Sequence, residues 1–442
     1  MSRTMAFTPM TVAEIIDELI VPPNPFRWEA FDGSATGPED AKYRVQLTSP
    51  EGLAYIATAP GDLGLARAWM TGGLVVEGEH LAHPYGIFDS LRDLYGQFQA
   101  PNPATLVRIY RSLGALDALK VQPVPEVERQ GWLERTLRDG LTRHSKERDA
   151  DVISDHYDVG NDFYELFLGK EVTYTCAYYP TEDATLDEAQ ENKYRLVFEK
   201  LRLKEGDTHL DIGCGWGGLV RYAARRGVKS LGVTLSKEQA DWAQERIKEE
   251  GLEDLAEVRF LDYRDVEEGD FDGISSIGLL EHIGVDNYAA HFDFLSGKLR
   301  PGGLMLNHCI TYPDNHKTKK GGFIDRYIFP DGELTGSGTV IREMQDNGFE
   351  VLHAENLRFD YARTLRDWCL NLKDNWEEAV ELVGENTARL WGMYMAGSQW
   401  GFEHDVVQLH QVLGVRLAED KSRAGVPERR WWNDSPWGLA DN

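Results

Sequence analysis

The stretch Thr208–Gly218, with the sequence THLDIGCGWGG, constrains the fold of this chain more than any other segment. His209–Ile212 has the apolar character of a buried strand, and Leu219–Arg226 has the spacing of a helix. Between them lie glycines at positions 213, 215, 217 and 218. A strand, a tight glycine turn and a helix N-terminus form a cleft in which backbone amides face a ligand. Glycine is needed there because a Cβ would keep the ligand away from the backbone.

Two kinds of cofactor use such a turn. Three of the glycines fit the pattern G-x-G-x-x-G of NAD and FAD sites, which is weak by itself. A dinucleotide site also needs an acidic residue about 20 positions further on, at the end of the next strand. That strand is predicted at Ser230–Leu235 and ends in Thr234 without a carboxylate. The turn also fits G-x-G-x-G preceded by Asp211, the S-adenosylmethionine methyltransferase arrangement, which we favour over a dinucleotide site or a turn that only packs a helix.

The charge and the cysteines exclude several classes of protein. The chain has 47 lysines and arginines against 74 aspartates and glutamates, a net charge of −27 that opposes nucleic-acid binding. Only local basic segments, Arg129–Arg148 and His316–Lys320, are candidates for contact with an anionic membrane. The four cysteines are scattered and form no C-x-x-C pair, which argues against disulfides and zinc and predicts a cytoplasmic protein.

The N-terminus does not have the pattern of a signal peptide, because acidic residues interrupt its apolar positions. No apolar run approaches the 18 or more residues of a membrane span. We therefore expect any membrane contact to be peripheral, at the inner face.

From Asp151 onwards, strand-like and helix-like segments alternate, which predicts a parallel sheet covered on both faces. The predicted strands are His209–Ile212, Ser230–Leu235, Val258–Leu261, Phe271–Ile277 and Leu304–Ile310. Ligands bind such sheets at the carboxyl ends of the strands. Asp211, Thr234, Asp262, Glu281 and His308 all lie at or just past such ends, so one site can collect them.

Further motifs add to the glycine turn. They are HYDVGN at 156–161, GVTLS at 232–236, DYRD at 262–265, LLEHIG at 279–284 and YIFPDG at 327–332. Together they resemble the cyclopropane-fatty-acyl-phospholipid synthase family, which includes the mycolic acid cyclopropane synthases, over about residues 150–420. The resemblance implies an α/β fold: a Rossmann-like class I methyltransferase sheet with added C-terminal helices, plus a smaller N-terminal α+β domain.

The resemblance also implies a reaction, the transfer of a methylene unit from S-adenosylmethionine to a cis double bond of an acyl chain. Methyl transfer leaves a carbocation, so the pocket must be dry, and a bound bicarbonate must remove a proton from the added methyl group. By resemblance the cofactor would contact Tyr157, Asp158, Thr175, Asp211, Gly213, Gly215, Gly217, Thr234, Gln239, Asp262, Tyr263 and Arg264. Bicarbonate would be held by the backbones of Cys176 and Ile310 and the side chains of Glu281, His308 and Tyr361. The resemblance implies no metal.

We expect four segments. They are an N-terminal α+β domain at 1–120 with a lipid-binding or accessory role, a linker helix at 121–150, the methyltransferase domain at 151–425 and a loosely held C-terminal tail at 426–442. Within them we expect a helix capping box at Thr11 and Glu14, a strand at Leu53–Ala57, and helices at Val127–Leu141, Thr364–Val383 and Thr387–Arg416.

The N-terminal extension favours phospholipid acyl chains over carrier-bound chains as the substrate, by analogy within the family. An alternative product is an exo-methylene chain, a 10-methylene precursor of a methyl-branched fatty acid, which a separate partner reductase would complete. A lipid-binding scaffold with an inactive methyltransferase fold, a methyltransferase for small polar molecules, and a homodimeric assembly all stay open.

Overall fold

The computed structural model describes residues 7–125, 160–316, 323–329, 332–428 and 430–434. The chain forms two compact units. The first comprises Met1–Thr136, Gly321–Ile328 and Leu372–Gly397, and the second comprises Leu137–Lys320, Phe329–Asn371 and Ser398–Asn442, as far as these ranges are described.

The N-terminal part of the first unit is an α+β structure. Its elements are α1 (Val12–Leu19), β1 (Phe26–Ala30), β2 (Ala35–Thr36), β3 (Tyr43–Leu47), α2 (Pro50–Thr58), α3 (Asp62–Met70), β4 (Leu74–Glu77), α4 (Ile87–Tyr95) and α5 (Pro103–Ala115). The sheet order is β2-β1-β3-β4, with β1 and β3 parallel and the other pairs antiparallel. Phe26, Val45 and Trp69 are buried in its core. The capping box of α1 is confirmed, since Glu14 N–H donates to Thr11 Oγ1 and Thr11 N–H donates to Glu14 Oε2.

The strand expected at Leu53–Ala57 is wrong, because this segment lies within helix α2. The helix begins at an N-cap, Ser49, which the prediction from the apolar run did not take into account. Ser49 Oγ accepts a hydrogen bond from Gly52 N–H at 3.2 Å, and Pro50 occupies the first turn, where its missing N–H costs nothing.

The remaining elements follow in chain order. They are α6 (Asn161–Leu168), α7 (Leu186–Lys200), β5 (Thr208–Ile212), α8 (Gly218–Ala224), β6 (Lys229–Thr234), α9 (Lys237–Glu249), β7 (Ala256–Phe260), β8 (Phe271–Ile277), α10 (Leu280–Ile283), α11 (Tyr288–Lys298), β9 (Leu299–Thr311), α12 (Phe323–Tyr327), α13 (Ser337–Asp346), β10 (Phe349–Asn356), α14 (Arg358–Asp374), α15 (Trp376–Val383), α16 (Glu385–Glu403) and β11 (Gln408–Arg416).

The second unit is built on a seven-stranded sheet with the order β10-β11-β9-β8-β5-β6-β7. The pairs among β5 to β9 are parallel, and β11 pairs antiparallel with both β9 and β10. All five predicted strands are present, as β5 to β9. The α/β fold with a methyltransferase-type sheet, as predicted, is confirmed. The sheet core includes Leu210, Ile274 and Met305, all without solvent exposure.

The helix expected at Thr387–Arg416 is wrong in its second half. The helix ends at Glu403, Asp405 takes a left-handed backbone conformation with φ of 60°, and strand β11 follows. Pairing with residues distant in sequence makes this segment a strand. β11 lies between β9 and β10, and its backbone groups form hydrogen bonds with both.

Two smaller expectations at the C-terminal end also differ from the structure. The helix expected at Thr364–Val383 is two helices, α14 and α15, separated at Asn375. The tail expected to be loosely held packs against the second unit in its described part. Trp432 is buried, and the indole N–H of Trp431 donates to Glu199 O at 2.8 Å.

Some expectations lie outside the described residues: the helix at Val127–Leu141, the basic segment Arg129–Arg148, most of His316–Lys320, and the side chains of Tyr157 and Asp158. Among the helices that the structure describes, none is both long and apolar enough to cross a membrane.

Candidate active site

The glycine turn after β5 leaves open space above its backbone. The N–H groups of Gly213 and Cys214 both donate to Val233 O in β6, at 2.9 and 3.0 Å, which fixes the turn on the sheet. Gly215 has φ of 55°, a left-handed conformation that glycine adopts without a steric penalty. A Cβ at Gly215 would meet no atom within 4 Å. A ligand can therefore approach this backbone directly.

A cleft opens at this turn, along the carboxyl ends of β5 to β8. Seven residues predicted to contact the cofactor line it together: Gly213, Gly215, Thr234, Gln239, Asp262, Tyr263 and Arg264. Local hydrogen bonds hold the polar ones. Thr234 Oγ1 donates to Gln239 Oε1 at 2.8 Å, and Asp262 accepts from Arg264 N–H at 2.9 Å and Nε–H at 2.8 Å.

Sequence reasoning missed the apolar part of this lining. It consists of Val233, Leu235, Leu261, Gly278, Leu279 and Ile283, and the polar His282 lies among them. Each of them is within six positions of the end of β6, β7 or β8 in sequence. The rule that ligands bind at the carboxyl ends of strands could therefore have found them, although it gives no reason to prefer them over other apolar residues.

Two of the predicted cofactor residues, Asp211 and Thr175, lie outside this lining and bond to the protein instead. Asp211 is buried and accepts from Ser275 Oγ at 2.5 Å, and burial raises the pKa of its carboxyl group to about 7. Thr175 Oγ1 accepts from the buried ammonium of Lys193 at 2.8 Å, and burial lowers the pKa of that lysine to about 7. Their predicted contacts with the cofactor stay predictions.

Gly217 also lies outside the cleft lining. It has φ of 72° and precedes helix α8. A Cβ there would lie 3.1 Å from both Ala243 of α9 and Val258 of β7, which is tighter than ordinary contact. The close packing of the turn against the neighbouring helix and strand accounts for a glycine at this position, and its predicted cofactor contact also stays a prediction.

Glu281 lies on the short helix α10 that also borders the cleft, but its side chain is directed to β9. Glu281 Oε1 accepts from Ile310 N–H at 2.7 Å. Within the described part of the chain, Glu281 Oε2 is buried and has no hydrogen-bond partner. Burial raises the pKa of this carboxyl group to about 7. A buried acceptor without a donor is costly, so this oxygen is suited to a proton or to a polar ligand.

His308, two residues before Ile310 on β9, has a similar arrangement. Its Nδ1 lies 3.1 Å from Gln411 Nε2 on β11, and its Nε2 is buried without a partner among the described residues. Burial, with Lys193 and Lys200 adding positive charge, lowers the pKa of this imidazole to about 3. His308 is therefore neutral at physiological pH, with one nitrogen bonded and the other available.

Backbone contacts bring the two remaining residues of the predicted anion site to the same end of the sheet. Cys176 is fully buried, and its thiol lies 3.9 Å from Leu357 O. Tyr361 N–H donates to the same carbonyl at 3.1 Å, and Leu357 N–H donates to Leu409 O at 2.8 Å. Leu409 is the strand partner of Ile310. The structure thus connects all five predicted residues to β9 and its neighbours, although their roles stay predictions.

Aromatic rings surround Tyr361. Its ring lies 4.6 Å from that of Phe402, with 34° between the planes, and 6.1 Å from that of Trp368 at 89°. Trp368 is fully buried and also contacts Tyr174 at 5.4 Å between ring centroids. Ring faces of this kind can stabilise a nearby cation.

Comparison with known proteins agrees with this geometry. The family model of mycolic acid cyclopropane synthetase matches residues 144–412. A relative named "Probable fatty acid methyltransferase" from Mycobacterium tuberculosis is 52% identical over 425 residues, 96% of this chain and 98% of the relative. The cyclopropane-fatty-acyl-phospholipid synthase of Escherichia coli strain K12 is 37% identical over 282 residues, 63% of this chain and 71% of that protein.

Solved structures give the same result. The cyclopropane synthase MmaA2 from Mycobacterium tuberculosis has a TM-score of 0.56 and 32% identity, covering 62% of this chain and 99% of that one. The mycolic acid cyclopropane synthase CmaA1, complexed with SAH and CTAB, has a TM-score of 0.55 and 33% identity, covering 60% and 97%. This chain belongs to the mycolic acid cyclopropane synthetase family and is an S-adenosylmethionine-dependent methyltransferase of the cyclopropane synthase type.

Proposed function

We propose that this enzyme transfers a methylene unit from S-adenosylmethionine to the cis double bond of a phospholipid acyl chain, giving a cyclopropane fatty acid, with bicarbonate as the base. One observation carries the proposal. Two buried polar atoms, Glu281 Oε2 and His308 Nε2, have no partner among the described residues, and both belong to groups held against β9 and its neighbour β11.

The chemistry of these two groups fits bicarbonate, which has both a hydroxyl donor and acceptor oxygens. A neutral imidazole donates through one nitrogen when the other accepts. A carboxyl group with a pKa of about 7 can share a proton with an anion, or its carboxylate can accept a hydrogen bond from the hydroxyl group of bicarbonate. Glu281 therefore does not have to repel bicarbonate. When bound, bicarbonate would supply the small oxyanion that takes the proton from the added methyl group.

The protein's own part is to position the reactants. Residues of the segment Gly278–Ile283 line the cofactor cleft, whereas Glu281 in the same segment bonds to Ile310. A cofactor in the cleft would therefore contact the same segment that carries Glu281 Oε2, the carboxylate oxygen without a partner among the described residues. Such positioning matters because an alkene is a weak nucleophile and must be held close to the methyl donor.

The surroundings would also protect a carbocation. Glu281, His308 and Cys176 are buried, and Tyr361 with Phe402 and Trp368 adds aromatic faces. Burial raises the pKa of the Cys176 thiol, so the thiol stays protonated and is not a competing nucleophile. Excluding water and a cysteine thiolate favours proton loss to bicarbonate as the outcome for the cation.

Helix α5 of the first unit supports a phospholipid substrate in a membrane. Its side chains Leu106, Val107 and Tyr110 are 50%, 53% and 66% exposed and occupy one side of the helix. Arg108 and Arg111 are exposed beside them, and the helix carries no acidic residue, in contrast to the net charge of −27 of the chain. Apolar side chains beside arginines suit the surface of an anionic bilayer.

One alternative product is kept because the 52% identical relative is named a fatty acid methyltransferase and not a cyclopropane synthase. The same methylation, followed by a hydride shift from the methylated carbon to the cationic carbon and then loss of a proton from the methyl group, gives an exo-methylene chain, here a 10-methylene precursor of a methyl-branched chain completed by a separate reductase. The unpartnered atoms of Glu281 and His308 suit either outcome, since both need a base.

The test uses purified enzyme, S-adenosylmethionine with a trideuterated methyl group, bicarbonate, and vesicles of dioleoyl phosphatidylglycerol and phosphatidylcholine. We expect acyl chains that gain one carbon and retain two deuterium atoms, because one is lost when the methyl group is deprotonated. Chains that keep three deuterium atoms, or no labelled lipid, would contradict the proposal. Mild hydrogenation before mass spectrometry separates the products, because it reduces an exo-methylene and leaves a cyclopropane unchanged.

A further inference from the structure

His308 is the end of a buried polar chain that crosses three strands. His308 on β9 and Gln411 on β11 are direct strand partners, and Gln411 is also the partner of Glu355 on β10. Lys200, the last residue of α7, reaches this row from the helix. Its ammonium donates to Gln411 Oε1 at 2.7 Å and forms an ion pair with Glu355. The proposed reaction does not use Lys200 or Gln411 directly.

The order of donors and acceptors in this chain follows from its chemistry. A lysine ammonium only donates, so the amide of Gln411 must turn its oxygen to Lys200. The amide nitrogen of Gln411 then lies 3.1 Å from His308 Nδ1 and can only donate. His308 Nδ1 must therefore accept, which leaves the single proton of the neutral imidazole on Nε2. That nitrogen is the buried one without a partner among the described residues.

We propose that Lys200 and Gln411 are positioning residues that hold His308 in the tautomer protonated on Nε2, so that it presents a donor to an oxyanion. The inference rests on the proposed function, in which that oxyanion is bicarbonate. A His308 protonated on Nδ1 would present a lone pair, which repels the acceptor oxygens of the anion and can bond only to its single hydroxyl group. The tautomer of a histidine is set by the hydrogen bond that its other nitrogen makes.

The burial of this chain explains why it would be maintained. Lys200 has no solvent exposure and Gln411 is 1% exposed, so neither is a surface contact. Burial lowers the pKa of Lys200, while the carboxylate of Glu355 acts in the opposite direction and favours the ammonium form. A buried chain whose members bond to one another in this way fixes each side chain in one orientation.

The first measurement is the protonation of His308 in the wild-type enzyme. ¹⁵N-histidine labelling with long-range ¹H–¹⁵N correlation distinguishes a protonated ring nitrogen from an unprotonated one, and the His308 signal is assigned by its loss in His308→Gln. We expect the proton on Nε2, with or without bicarbonate. A proton on Nδ1 overturns the inference, whatever the enzyme does with lipid.

The second measurement reverses the hydrogen bond at nearly constant size. In Gln411→Glu the carboxylate accepts from both Lys200 and His308, so the imidazole proton should move to Nδ1. We expect kcat to fall by at least about tenfold, with the Kd for S-adenosylhomocysteine unchanged, as for other residues that orient a catalytic group. Unchanged tautomer or unchanged kcat in this folded variant overturns the inference.

Lys200→Met and Lys298→Met form a matched pair. Lys298 is half-buried and its ammonium donates to the backbone oxygens of Val266 at 2.6 Å and Glu267 at 3.2 Å, with no bond to the His308 chain. We expect Lys200→Met to lower kcat and to give a mixture of tautomers, and Lys298→Met to do neither. Equal effects of the two substitutions would overturn the inference.

Failure of the proposed function would appear differently, as wild-type enzyme that makes no labelled lipid but still has its His308 proton on Nε2.

Discussion

The N–H of Ile310 donates to Glu281 Oε1 at 2.7 Å, and this bond fixes a carboxyl group whose second oxygen has no partner among the described residues. The two residues come from different elements, α10 and β9. The bond therefore joins the segment that borders the cofactor cleft to the strand that carries His308. This position of Glu281 is the one that the proposed function requires of a group that holds an anion beside the methyl donor.

Glu281→Gln should abolish product formation while leaving cofactor affinity nearly unchanged. The amide keeps the size of the side chain but cannot take up a proton, and it turns a donor towards one of its neighbours. We expect kcat to fall by about 10²- to 10⁴-fold, the range for general acid–base groups. Isothermal titration with S-adenosylhomocysteine and the deuterium assay measure the two quantities. Glu350→Gln, at a half-buried ion pair with Arg423, is the control and should keep its activity. Weakened cofactor binding without a larger loss of turnover would mean that Glu281 belongs to the cofactor site.

The pH dependence of stability should change in the same variant. The pKa of Glu281 is about 7 in the folded protein, above its ordinary value of 4.5. The fold thus favours the protonated form of Glu281. The resulting contribution to the free energy of unfolding is fully present below pH 4.5 and is lost as the pH rises through about 7. The full loss is on the order of 3 kcal/mol of unfolding free energy. Chemical denaturation between pH 5 and 8 in bicarbonate-free buffer should therefore show a smaller decline for Glu281→Gln than for the wild type.

Glu350→Gln is again the control for this measurement. Hydrogen bonds from Arg423 hold the pKa of the Glu350 carboxyl group below its usual value. Its stabilising contribution is complete above pH 5, so the difference between this variant and the wild type should stay constant from pH 5 to 8. A parallel decline in wild type and Glu281→Gln would show that Glu281 ionises normally in the fold.

Gly215→Ala and Gly217→Ala should separate cofactor contact from packing. Both glycines have left-handed backbone conformations, with φ of 55° and 72°, so both alanines carry a similar strain of about 1 to 2 kcal/mol. A Cβ at Gly215 points into open space, whereas one at Gly217 crowds Ala243 and Val258. We expect Gly215→Ala to weaken S-adenosylhomocysteine binding by about tenfold or more. Gly217→Ala should mainly lower the melting temperature, and a larger affinity loss at Gly217 would support its predicted cofactor contact instead.

Removing the apolar side chains of helix α5 should weaken membrane binding. The double substitution Leu106→Ser with Tyr110→Ser deletes two exposed apolar groups, each able to contribute about 1.5 to 3 kcal/mol when fully buried. Flotation with vesicles rich in phosphatidylglycerol should show at least about a tenfold loss of affinity.

Arg108→Glu with Arg111→Glu should lose binding to anionic vesicles most strongly at low salt. Val121→Ser, at a side chain that is 78% exposed outside this helix, is the control. Equal binding by all these variants would exclude α5 as the membrane contact.

The local sequence was enough to predict the parallel part of the sheet and much of the cofactor cleft. Strands β5 and β8 are short and are followed directly by a glycine, β6 ends in Thr234, and Asp262 comes two residues after β7. Parallel strands bring such ends to one edge. For this reason Gly213, Thr234 and Asp262 could be assigned to a common cleft before their positions were known. Strand β11 could not be predicted in the same way, because the apolar pattern of the aromatic helix α16 continues into the β11 segment. Only pairing with β9 and β10 makes that segment a strand.

The sequence by itself determined the type of cofactor turn and which polar residues end the strands, because both follow from spacing along the chain. Only the tertiary structure decided which of their atoms are bonded and which are left over. Among the described residues, Glu281 Oε2 and His308 Nε2 lack partners and Lys200 reaches Gln411, because segments far apart in sequence pack together there. Hydrogen bonds in a buried site depend on distances of a few ångströms between such segments, and periodicity along a chain does not contain those distances.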